Sequence, residues 1–199
     1  MTPSEIFHTQ GYLHLKGLVD NSLCNFLSHI LLRNPSYGGK LKDSQCESFS
    51  LMDHEVIFET LQEKLWPSVE KIIDEELLPT YAYSRLYVNG NTLEEHTDRP
   101  ECEISVSIQL GRSHHYSWPI YMNGNRIDLA EGDGVLYKGC DVKHWRNVCD
   151  GPDGYYSGQV FIHFVRKNGN FVDKANDSNI RDVVGELYNR YRTHLMDIK

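Results

Sequence analysis

No stretch of the 199-residue chain approaches the ~20 consecutive apolar residues that cross a bilayer as a helix. The opening residues, MTPSEIFHTQGYLHLKG, lack the basic flank and apolar core of a secretory signal. Internal repeats and low-complexity tracts are missing too. There is no C-x-x-C pair, and the cysteine count is odd: Cys24, Cys46, Cys102, Cys140 and Cys149. That excludes a complete disulfide framework and reads as free thiols in a reducing compartment. Positive charge is also short. Twenty Lys and Arg against 28 Asp and Glu leave a net charge of −8, which opposes non-specific attraction to a phosphate backbone. These absences predict a soluble, cytoplasmic protein with neither nucleic acid nor membrane as partner. Nothing in the pattern specifies an oligomeric state.

What is present suits one folded domain, with 40% hydrophobic and 11% aromatic residues. GYLHLKGLV alternates as a short strand. DNSLCNFLSHILLRN begins with a polar cap and places Leu23, Phe26, Leu27, Ile30 and Leu31 at helical spacing. A second helix is predicted from about Glu55 to Leu77, with Phe58, Leu61, Leu65, Val69 and Ile73 in its buried stripe and Pro67 expected to kink or break it. From Thr80 to Val165 the period changes to two. YAYSRLYV, EISVSIQLG, WPIYMNG, GVLYKG and QVFIHFV are short, rich in β-branched and aromatic residues, and separated by Gly, Asn or Asp turns. Such runs form an antiparallel sandwich or barrel. NIRDVVGELYNRYRTHLM closes the chain as an amphipathic helix. The outline is one mainly β domain: N-terminal helical support over about 1–79, a β-core over about 80–166, and a C-terminal helix over about 177–196.

Chemistry concentrates in NTLEEHTDRPECEISVSIQLG, where His96 and Asp98 stand two residues apart at the mouth of a strand. Side chains at i and i+2 of a strand share a face. Downstream, LAEGDGVLYKGCDVKHWRNV supplies His144 after a Gly-Asp-Gly turn and a strand. Two imidazoles and one carboxylate on one side of a metal leave the opposite positions open, which suits non-haem Fe(II) binding a chelating cosubstrate and O2.

In these residues the sequence resembles the Fe(II)/2-oxoglutarate-dependent dioxygenases, in the style of their prolyl-hydroxylase-like branch. RLYVNGNTLEEHTD, ISVSIQL, EGDGVLYKG and KHW occur in the family's order, over roughly Ala82 to Val165. The resemblance implies a double-stranded β-helix, or jelly roll, with flanking α-helices. It implies Fe(II) held by His96, Asp98 and His144, and 2-oxoglutarate and O2 as cosubstrates. The expected reaction couples decarboxylation of 2-oxoglutarate to hydroxylation of a small-molecule, peptide or protein substrate, with a prolyl residue among the options. A carboxylate at Asp98 points to hydroxylation and not halogenation. His163 in QVFIHFV competes with His144 for the distal role. His144 is preferred because the Gly-Asp turn and strand precede it.

One family feature is missing. The far carboxylate of 2-oxoglutarate is ordinarily clamped by Arg or Lys about ten residues past the distal histidine, because a guanidinium grips a carboxylate in two parallel bonds. Here that region reads GPDGYYSGQVF and holds no cation. Tyr87, Gln159, Lys138 and Arg146 are the expected cosubstrate-binding residues, with Arg85 and Arg112 as further cations within reach. Arg99 and Trp118 are expected to face substrate. Two other readings remain open at this point: a non-catalytic cupin-like metal- or ligand-binding protein, which the missing cation favours, and a zinc hydrolase using the same three ligands.

Overall fold

The structure is a computed structural model that describes residues 1–33, 41–42, 46–53 and 56–175. The predicted C-terminal helix lies outside the described residues.

Three helices precede the main run of strands. Helix α1 (Pro3–Gln10) is set by its first turn: Thr2 Oγ1 accepts the Glu5 amide at 3.2 Å and the Glu5 carboxylate accepts the Thr2 amide at 2.7 Å. Helix α2 (Asn21–Arg33) starts where Asp20 accepts the Leu23 amide. Helix α3 (Val56–Ile73) is not broken in two at Pro67 but continues through it. An interior proline costs about 3 kcal/mol. Burying each of Phe58, Leu61, Leu65, Val69 and Ile73 returns roughly 1.5–3 kcal/mol, so packing outweighs the proline. The helix also stops earlier than expected, at Asp74 in the left-handed region, and Leu77 already opens a strand.

Among the described residues, eleven strands form two antiparallel sheets. The larger has the order β1 (Tyr12–Leu15), β9 (Gly134–Lys138), β6 (Ile104–Arg112), β11 (Tyr156–Arg166), β4 (Leu77–Val88), β3 (Glu47–Asp53) and β2 (Leu41–Lys42). The smaller runs β5 (Leu93–His96), β10 (His144–Arg146), β7 (Ile120–Met122) and β8 (Asn125–Ile127). The first 79 residues are therefore not purely helical, since β1, β2 and β3 extend the larger sheet at its two edges. The expected mainly β jelly-roll architecture with flanking helices is what forms. No helix among the described residues is long and apolar enough to cross a membrane. The five cysteines are all free thiols.

Alternation along the central strands divides the larger sheet by chemistry. Its outer face carries Val106, Ile108, Leu136, Val160, Ile162 and Phe164, which pack with the helices into the main core. Its inner face is polar and aromatic. The strand register aligns Tyr137, Ser105 and His163 in one row across β9, β6 and β11. A second row, toward the other end, aligns Gln109, Gln159 and Arg85 across β6, β11 and β4. The smaller sheet faces these rows and encloses a cavity.

Candidate metal centre and its cavity

The smaller sheet brings the two histidines together. His144 on β10 pairs directly with His96 at the end of β5, and their ring centroids lie 4.2 Å apart. Asp98 sits just beyond β5, not within it as the strand pattern suggested. Its backbone amide donates to the Gly139 carbonyl at 2.8 Å, which turns the side chain toward the two rings. Gly139 leaves room for this. A Cβ there would come within 2.1 Å of the Cys102 carbonyl oxygen and 2.8 Å of Asp98 Oδ2.

The ring nitrogens have separate tasks. His96 Nδ1 donates to the Glu94 carbonyl at 2.7 Å and His144 Nδ1 to the Val142 carbonyl at 2.9 Å. A carbonyl can only accept, so in the neutral rings both Nε2 atoms keep a lone pair. Those two Nε2 atoms each lie 3.4 Å from the same oxygen, Asp98 Oδ1. The three ligand atoms fall within 4.8 Å of one another, and among the described residues this is the cluster able to hold a metal ion. Asp98 Oδ2 is buried without a hydrogen-bond partner. Burial pushes the Asp98 carboxyl up, but the two rings, which donate to it from Nε2 whenever they take up a second proton, more than reverse this and hold it well below its ordinary value. An ionised carboxylate with an orphaned oxygen, facing two imidazole lone pairs, fits a divalent cation.

The centre opens into a cavity of about 350 Å³. Of the residues expected from sequence, His96, Asp98, His144, Tyr87 and Arg99 line it. Arg99 lies at its mouth, its guanidinium 4.8 Å over the Tyr81 ring. Four expected residues are placed otherwise; Gln159 stays tied within the larger sheet, its amide on Gln109 Oε1 at 3.2 Å and its oxygen accepting from Arg146. Lys138 is not brought to the cavity: Tyr137 takes the inward position on β9, and the next side chain points the other way, donating to the His8 carbonyl over the Phe7 ring. Trp118 precedes β7, gives its indole N–H to the Asn147 carbonyl at 2.8 Å, and packs edge-on against Tyr87 instead of lining the space. Arg146 is buried behind the cavity, where its guanidinium lies over the Trp118 ring, donates to the Trp118 carbonyl, and reaches Gln159 Oε1 at 2.9 Å. Burial lowers its pKa to about 10, so it remains cationic.

Besides Arg99, the cavity is lined by a buried cation, Arg85, only 2% exposed and flanked by the rings of Tyr83 and Tyr87. Tyr81 and Tyr83 also line the space without having been singled out. Their signal was present: Tyr81, Tyr83, Arg85 and Tyr87 recur at every second position of one strand, the mark of a single face.

No protein-family model matches the chain, and no curated protein matches it in sequence. Solved structures match it in fold. A Pseudomonas putida prolyl-4-hydroxylase is similar at a TM-score of 0.62 and 13% identity, over 83% of this chain and 97% of that one. A viral collagen prolyl hydroxylase from Paramecium Bursaria Chlorella virus-1, in complex with 2-oxoglutarate, gives 0.60 and 10%, over 80% and 98%. HygX from Streptomyces hygroscopicus, with nickel, 2-oxoglutarate and hygromycin B bound, gives 0.60 and 12%, over 80% and 84%. The fold is that of the Fe(II)/2-oxoglutarate oxygenases. Within this oxygenase fold the His96–Asp98–His144 centre lies between the two sheets, at the end of the cavity where β5 and β10 pair.

Proposed function

We propose that the chain is a non-haem iron oxygenase that couples 2-oxoglutarate decarboxylation to hydroxylation of a small-molecule or peptide substrate. His96, Asp98 and His144 would hold Fe(II). One observation carries this: two imidazole lone pairs and an ionised carboxylate converge on one point, and a buried guanidinium shares their cavity. When bound, the iron supplies O2 activation at the expense of the 2-oxo acid.

The chain's own residues prepare that chemistry. The Glu94 and Val142 carbonyls fix the two ligand rings, so each Nε2 is ready without a tautomer change. Asp98 supplies negative charge in a setting that keeps it ionised. Arg85 offers a buried cation on the cavity wall, as the far carboxylate of a dicarboxylate requires. Arg85 thus answers the missing cation on β11 and weakens the cupin-like reading. Tyr83, Tyr87 and Phe161 wall the space with aromatic surface.

The substrate is narrowed only by analogy. Two similar structures are prolyl hydroxylases and a third binds hygromycin B, so peptide and small-molecule substrates both suit the scaffold. The test is an anaerobic titration of metal-free protein with Fe(II) and then 2-oxoglutarate, followed by the visible charge-transfer absorption of the chelate. The band should develop in the native protein and be absent in Asp98→Ala. Iron binding without a band would remove the cosubstrate and return the cupin-like reading.

A further inference from the structure

The inner face carries a third imidazole, and its two nitrogens are unequal. His163 lies in the middle of β11, is 2% exposed, lines the cavity, and has ring centroids of Tyr81 and Tyr83 at 4.7 and 5.7 Å. It does not belong to the cluster of converging ligand atoms. Its aim is set by the backbone. Pairing with β6 is regular at His163, whereas the β4–β11 register slips between Ile162 and Phe164. The buried Gln62 of α3 donates its amide to the carbonyls of both Tyr81 and His163 at that slip. Irregularities of this kind redirect a side chain, and here a helix holds one in place.

Nδ1 of His163 lies 2.8 Å from Ser105 Oγ, and that hydroxyl in turn donates to the Cys102 carbonyl at 2.9 Å. A hydroxyl has one proton, and the carbonyl can only accept it. The Ser105 oxygen therefore meets Nδ1 with a lone pair, and Nδ1 must carry the ring hydrogen. That leaves a lone pair on Nε2, which is buried and has no hydrogen-bond partner. Burial lowers the ring's pKa to about 4, against the pull of Asp98 and with Arg99 and His144 adding to the effect, so the ring is neutral near pH 7.

We propose that His163 is a fixed hydrogen-bond acceptor of the cavity, receiving an O–H or N–H donor held beside the metal centre, and is not itself a metal ligand. The position of that donor rests on the oxygenase reading; the ring's tautomer does not. The two polar rows then have opposite characters. Arg85 in the second row offers donors to a carboxylate, whereas the His163 lone pair repels one and selects a hydroxyl, amine or amide N–H. The donor has two sources: a water on the metal, or the substrate.

The test is long-range proton–nitrogen NMR of the full chain labelled with 15N-histidine and assigned through bonds from the backbone. Zn(II) serves as a diamagnetic probe. His163 should show the neutral Nδ1–H tautomer with and without Zn(II), while Nε2 of His96 and of His144 move on zinc addition. A hydrogen-bonding shift of His163 Nε2 that appears only with Zn(II) assigns the donor to metal-held water. A bare lone-pair signal in both states leaves the acceptor to a substrate donor. In Ser105→Ala the lock is gone, and the two tautomers should mix. An Nε2–H tautomer in the native protein, coordination of His163 Nε2 to zinc, or an unaltered single tautomer in Ser105→Ala would each overturn the proposal. Should His96 and His144 ignore Zn(II) while His163 keeps its tautomer, the metal centre fails and the acceptor stands.

Discussion

At Asp98, burial and bonding pull in opposite directions, and bonding wins. Removing the carboxylate leaves two neutral imidazoles with nothing to offset a divalent charge. Asp98→Ala should therefore weaken Fe(II) binding more than about 100-fold with the far-UV spectrum unchanged, as read by anaerobic calorimetry. Gly139→Ala tests the support and not the ligand. Its new Cβ would press on the Cys102 carbonyl and on Asp98 Oδ2, so the carboxylate must move. A loss of about 10–100-fold in metal affinity is expected, and native affinity would show that this contact does not place Asp98. Protons compete at His96. Burial lowers its pKa, but the Asp98 hydrogen bond and the Glu94 carbonyl together leave it raised above 6.5. A ligand nitrogen must be unprotonated, so metal affinity should fall as pH drops from 8 toward 6.

Among the elements, the slip between β4 and β11 has the clearest energetic consequence. Gln62 satisfies two buried carbonyls there, and Gln62→Leu would leave both without its amide. Each unsatisfied group costs about 1–3 kcal/mol, so urea denaturation should show a loss of at least ~2 kcal/mol with an unchanged m-value. A neutral Gln62→Leu would mean that the carbonyls find other donors. Nothing in the sequence announces this tie, because one polar residue in an apolar helical stripe reads as an ordinary surface position. The long strands β4, β6, β9 and β11 were legible, since each alternates over enough residues to show a period of two. The strands β5 and β10 span four and three residues and carry no period of their own. Yet their pairing is what sets His96 against His144. The candidate cluster was readable from residue type and order, whereas its geometry came from pairing across the sheet. Lys138 and Arg85 show the same limit. Both are cations on inner strands, and only the register decides which one faces inward.

Across the whole molecule, stability should depend on pH through groups whose shifts differ in sign. His163 has its pKa lowered to about 4 from the ordinary 6.5. Its contribution is complete above pH 6.5 and is lost as pH falls toward 4, by about 3 kcal/mol at most. Asp98, also depressed, adds a further loss below pH 3.8. His96 runs the other way: its pKa is raised, so its contribution is complete below 6.5 and fades as pH rises through the shifted value. Metal binding adds stability in proportion to saturation, about 2.7 kcal/mol at a free concentration of 100 times Kd. The same protonation of His96 that stabilises the metal-free protein removes a ligand. The gap in Tm between Zn(II)-loaded and metal-free protein should therefore be widest near pH 8 and close as pH falls toward 5. Differential scanning fluorimetry across that range measures it directly. In His144→Ala the gap should be absent at every pH, because β10 then presents no ring to β5; a gap that survives would place the metal somewhere other than between these strands.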